Sequence, residues 1–72
     1  MKSWPRLDRA RLRMAESAHR ILEQQLRIAT MRADGEDTTA AVKLLDELKA
    51  IHRLFVEQVS QEQARALSSD AD

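Results

Sequence analysis

One glycine, Gly35, sits between two long stretches of helical periodicity, about Pro5 to Met31 and about Thr38 to Leu67. A chain with one glycine and one proline has little turn chemistry for a sheet. Leu, Ala, Glu, Gln, Arg and Lys, all good helix formers, dominate the composition. At 72 residues the chain makes one small domain at most. The expected organisation is a single helical hairpin over residues 1–67: a helix over about 5–32, a turn over 33–37, a helix over about 38–67, and a frayed tail over 68–72.

Local signals mark the boundaries. Pro5 falls in the first turn of the first helix, where its missing N–H has no intrahelical partner to lose. Apolar residues recur at Leu7, Met14, Ala18, Ile21 and Ile28, flanked by Leu12, Ala15, Leu22, Leu26 and Ala29. Together they form a wide stripe of helical period. Arg32 suits the negative helix end, and Gly35 can take the left-handed conformation that terminates it. Asp37 or Thr38 can cap the second helix by accepting from its free N–H groups; Ala41 in place of Glu or Gln leaves the capping box incomplete. The second stripe reads Ala41, Leu44, Leu45, Leu48, Ile51, Phe55 and Val59, with Val56 on its flank, and weakens after Val59.

A short turn makes the helices antiparallel. Ile28 is then expected near Val42 to Leu45, Ile21 near Leu48 to Ile51, and Met14 near Phe55 to Val59. Both stripes are wider than one neighbour covers. The expected architecture is therefore all-α, an antiparallel hairpin that dimerises into a four-helix bundle. Its core and dimer packing would use Met14, Ala18, Ile21, Leu22, Gln25, Ile28, Leu44, Leu45, Leu48, Ile51, Phe55 and Val59. Gln25 is expected at the stripe centre, where a polar residue selects register or oligomeric state.

The stretch Ile28-Ala29-Thr30-Met31-Arg32-Ala33-Asp34-Gly35-Glu36-Asp37-Thr38-Thr39-Ala40-Ala41-Val42-Lys43-Leu44-Leu45 resembles a group of small uncharacterised proteobacterial helical-hairpin proteins. These carry a leucine-rich helix, an Arg-Ala-Asp-Gly-His-Asp-Thr-like turn and a second helix opening with a double leucine. Glu36 stands here in place of their usual histidine, and the second helix diverges after Leu48. The resemblance implies a bacterial hairpin and contributes no site.

Charge is balanced overall and uneven along the chain. Up to Arg32 there are eight basic and three acidic residues; from Ala33 onward there are four and nine, so the halves carry +5 and −5. Attraction between two helices accounts for such a split; a basic surface for nucleic acid is the alternative. Arg6, Arg13, Arg20 and Arg27 recur every seven residues, and are expected on a line facing away from Ala18 and Ile21. They serve either a solvated face with helical pairs such as Glu16–Arg20 and Glu23–Arg27, or contacts to phosphates. Aromatic residues for stacking bases are scarce.

Chemistry-bearing motifs are few. There is no cysteine, hence no disulfide framework and no thiolate metal site. His19 and His52 lie at similar distances from the turn, with Glu16 and Glu23 in helical reach of His19, yet no HExxH spacing occurs. The expectation is no enzyme, no cofactor, no metal and no small-molecule substrate. Met1 to Pro5 lacks an apolar signal region, and charges interrupt every apolar run, so a cytoplasmic protein without a membrane span is expected. Trp4 either seals the open end level with Leu67 or, with Leu54 on the outer face of the second helix, offers a hot spot to a partner. The function expected is a non-enzymatic protein–protein interaction or regulatory module that binds itself and another protein. An RNA- or DNA-binding bundle using the arginine row is the alternative.

Overall fold

The computed structural model describes residues 4–71, with side-chain surroundings for residues 5–68. Two helices, α1 (Trp4–Ala33) and α2 (Thr39–Ala71), pack against each other as a hairpin measuring 59 × 15 × 11 Å. α2 continues beyond Leu67, where a frayed tail was expected, through Ser68 and Ser69 to Ala71. Neither helix is long and apolar enough to cross a membrane, among the described residues.

The turn satisfies the free backbone groups of both helix ends. Gly35 adopts φ 73°, the left-handed region that a Cβ disfavours. That reversal lets the Glu36 N–H donate to the Met31 carbonyl at 2.9 Å and the Gly35 N–H to the Arg32 carbonyl at 3.1 Å. The pair of bonds is a Schellman closure of α1. Asp37, rather than Thr38, supplies the side-chain cap of α2. Its Oδ1 accepts from the Thr39 N–H at 3.0 Å and from the Thr39 hydroxyl at 2.7 Å. The Thr38 carbonyl accepts the first intrahelical bond, from the Val42 N–H at 2.8 Å.

Between the helices runs a seam whose spacing alternates three and four. On α1 the buried and half-buried positions are Leu7, Ala10, Met14, Ser17, Ile21, Gln24, Ile28 and Met31. Across from them are Thr38, just before α2, and Ala41, Leu45, Leu48, His52, Phe55, Val59, Glu62 and Ala66 on it, with Val42 and Gln58 at the margin. A seven-residue repeat keeps one narrow row of each helix facing the other over the whole length. The best-packed part lies toward the open end, where Leu7, Ala10, Val59 and Ala66 cluster with Met14 against them. Leu7 is 2 % exposed, and small residues such as Ala10 and Ala66 let the helices approach closely there.

Two cross-helix bonds set the register. Ser17 Oγ lies 2.6 Å from His52 Nδ1, and Gln24 Nε2 donates to the Ala41 carbonyl at 2.9 Å. The level of Ser17 and His52 falls between the expected Met14–Phe55 and Ile21–Leu48 pairings.

Candidate interaction surfaces

Within the hairpin, Met14, Ile21, Ile28, Leu45, Leu48, Phe55 and Val59 face the other helix, as the stripes suggested. Ala18, Leu22, Gln25, Leu44 and Ile51, named with them for core or dimer packing, are exposed in the single chain. The stripes read from sequence were wider than the seam, and these residues occupy the surplus width. Gln25 needs a specific correction. The buried amide is Gln24, 7 % exposed, whose bond to the Ala41 carbonyl relieves the cost of burying it. A seven-residue reading in place of a 3.6-residue one would have found it, since Ala10, Ser17, Gln24 and Met31 share one heptad position.

The four arginines are exposed, but they do not point away from the seam. Arg6, Arg13, Arg20 and Arg27 each immediately precede a seam residue, Leu7, Met14, Ile21 and Ile28. They therefore line one flank of the hairpin. Ala18 is on the opposite flank, and Ile21 is adjacent to Arg20 in the seam. Because Ala10, Ser17 and Gln24 are small or polar, this flank is grooved. Next to the turn, Gln24, Leu26, Arg27, Met31, Ala40 and Leu44 border an open concavity of 970 Å³. It continues past Arg20 and Leu48 (470 Å³), past Arg13 and Phe55 (320 Å³), to Arg6, Ala10 and Gln58 (230 Å³). Each concavity shares at least one arginine with the next, so they adjoin in a row along this flank and become smaller toward the well-packed open end.

The expected helical pairs Glu16–Arg20 and Glu23–Arg27 do not form. Among the described residues the close side-chain pairs are His19–Glu23 at 3.6 Å and Glu62–Arg65 at 3.3 Å, and none of the four heptad arginines has a carboxylate partner among them. Both pairs are solvent-facing on at least one side and contribute little to stability. The two histidines part company as well. His19 is exposed on the outer face of α1, whereas His52 is half-buried in the seam against Ser17. Among the described residues no group of three His, Asp or Glu side chains is arranged to hold a metal ion.

Large apolar side chains are exposed on both helices. Leu12, Leu22 and Leu26 stand on α1, and Leu44, Ile51, Leu54, Val56 and Leu67 on α2, between 43 % and 68 % exposed. Leu54 shares its side of α2 with Ile51, about one helical turn away, and Leu44, about three turns away. Trp4 begins α1, and its side chain lies outside the described residues. No family description, curated protein or solved structure matches the chain.

Proposed function

We propose that the protein is a small non-enzymatic interaction or regulatory module, a helical hairpin that pairs with itself into a four-helix bundle and binds another protein. The observation that carries this reading is the set of eight large apolar side chains left 43–68 % exposed by the single hairpin. A chain of this size exposing so much apolar surface on both helices gains by covering it, and association is the available route. A bacterial, cytoplasmic setting fits the turn resemblance and the interrupted hydropathy. The test is sedimentation equilibrium from low to high micromolar concentration, followed by capture from a bacterial lysate with and without nuclease. A compact, folded 8.2 kDa monomer at every concentration contradicts the dimer.

Binding of RNA or DNA is the second reading, and the four arginines, which have no carboxylate partner among the described residues, favour it. Glu16, Glu23 and Glu62 in the same groove oppose it by repelling phosphate. Loss of the captured partner on nuclease treatment, together with a steep salt dependence, selects this alternative.

A further inference from the structure

The arginine flank carries a charge order that is opposite in sign to itself when reversed, and this names its occupant. Consider the point midway between Ile21 and Leu22 on α1. Arg20 and Glu23 are equidistant from it, one basic and one acidic. So are Glu16 and Arg27, then Arg9 and Asp34, then Arg6 and Asp37. The one remaining pair on this row sets Arg13 against neutral Thr30. The eight positions from Arg6 to Thr30 share the three-and-four spacing that marks one side of α1, and Asp34 and Asp37 follow in the turn beyond its end. Groove-lining residues confirm the side from Arg6 to Thr30, and the turn acid Glu36 borders its far end.

We infer that the grooved flank is occupied by a second copy of the chain, running antiparallel about a twofold axis that crosses α1 between Ile21 and Leu22. This inference rests on the dimeric reading above and specifies its face and register. An isologous contact brings each residue against its equidistant counterpart. Arg20 then meets Glu23 of the second copy, Glu16 meets Arg27, and the acidic turn meets the basic open end. The row contains no like-charge encounter in this register. A polyanion would meet Glu16 and Glu23 at its centre, and a parallel copy would set arginine against arginine.

The same axis orders α2. Ser17 lies level with His52, which puts the axis near Glu47 and Leu48. Leu44 and Ile51 are then equidistant from it and meet across the interface, covering apolar surface that the hairpin leaves open. Glu47, beside the axis, approaches its own twin. That like-charge approach weakens a dimer of this geometry.

The test uses the full chain at low ionic strength, where surface pairs are least screened. Arg20→Glu and Glu23→Arg each convert two attractive encounters per dimer into repulsive ones. Each should raise the dissociation constant about tenfold by sedimentation equilibrium. The two together exchange the charges and should restore it to within about threefold of the parent. Arg11→Glu, on the opposite flank, should leave it unchanged, and Glu47→Gln should tighten it. Since the chain has no cysteine, single introduced thiols give an independent reading that does not depend on the charge variants folding. Glu47→Cys should form a disulfide dimer quickly, and Leu22→Cys should not. A dimer that ignores both reversals, or that cross-links through Leu22→Cys instead, overturns this face while leaving the dimeric reading standing. A monomer at all concentrations overturns both. A monomer whose binding to a generic RNA is lost on Arg20→Glu also overturns both and selects the nucleic-acid alternative.

Discussion

At the open end of the hairpin, Leu7, Ala10, Val59 and Ala66 pack into a cluster that excludes water. At the turn end, the seam holds buried Ile28 beside the polar Gln24 and opens into the 970 Å³ groove. The first region is held by apolar contact between large and small side chains. The second is held by hydrogen bonds: the Gln24–Ala41 bond, the two Schellman bonds around Gly35 and the Asp37 cap. Non-directional packing tolerates no lost volume, whereas a turn tolerates changes that keep its bonds. The difference suggests why the concavities widen toward the turn. Close packing is not needed where the covalent connection already keeps the helices together.

The largest expected effect is at the open end. Leu7→Ala removes the most deeply buried large side chain and should cost about 2–5 kcal/mol in thermal or urea melts. Leu54→Ala, at a site 63 % exposed, should cost well under about 1 kcal/mol. Similar losses would mean that the open-end cluster does not carry the packing energy. Both melts belong at matched concentration, because association raises apparent stability.

At the turn end, Gly35→Ala should cost about 1–2 kcal/mol, the backbone penalty of a left-handed L-residue. Apart from its chain neighbours, no heavy atom lies within 4 Å of the position a Cβ would take, so crowding by other parts of the chain adds nothing. Gly35→Asn should recover part of the loss, since asparagine tolerates this region. An alanine variant as stable as the parent would show that the turn relaxes to another closure.

Gln24 separates burial from hydrogen bonding. Gln24→Ala loses both and should cost about 1 kcal/mol or somewhat more. Gln24→Leu keeps the volume and removes the buried amide, so its stability should stay within about 1 kcal/mol of the parent or exceed it. A large loss for Gln24→Leu alone would make the bond to Ala41 the turn half's main fastening.

The smallest effect is the cap, and it depends on pH. The Thr39 hydroxyl and then the Thr39 N–H hold the Asp37 carboxyl below its ordinary value of 3.8. A carboxylate with a lowered folded pKa stabilises the fold above its unfolded value. That contribution fades as pH falls through the folded one. Melts of the parent and of Asp37→Asn should therefore differ at neutral pH and converge in acid, at pH values below 3.8. A difference that persists unchanged in acid would show that the charge on Asp37 is irrelevant to the cap.

Much of this architecture was readable before folding. The place of Gly35 between two periodic stretches gave the hairpin, and the short turn gave its antiparallel sense. Met14, Ile21, Ile28, Leu45, Leu48, Phe55 and Val59 were readable as seam residues because large apolar side chains outweigh local alternatives. Ser17, Gln24 and His52 were not. Polar residues carry no hydrophobic signal, and only their cross-helix bonds make them acceptable inside. The arginine row was visible as a seven-residue repeat, but its direction was misjudged. A 3.6-residue stripe centred on the wider apolar band rotates it outward, whereas the observed 3.5-residue seam brings it alongside.

What the sequence determined by itself is local: helix propensity, the left-handed stop at Gly35 and an exact residue order of charges along α1. These depend on neighbours within a turn or two of helix. What the tertiary structure decided is angular. The rotation of α1 about its own axis selects which of two apolar bands is covered. It leaves Leu22 exposed at 52 % and buries Gln24. That rotation follows from the joint packing of both helices, with Leu7 seated among Ala10, Val59 and Ala66 at one end and Gln24 bonded to Ala41 at the other. A difference of one tenth of a residue per turn is too small to read from one helix and large enough, over eight turns, to decide which flank faces a partner.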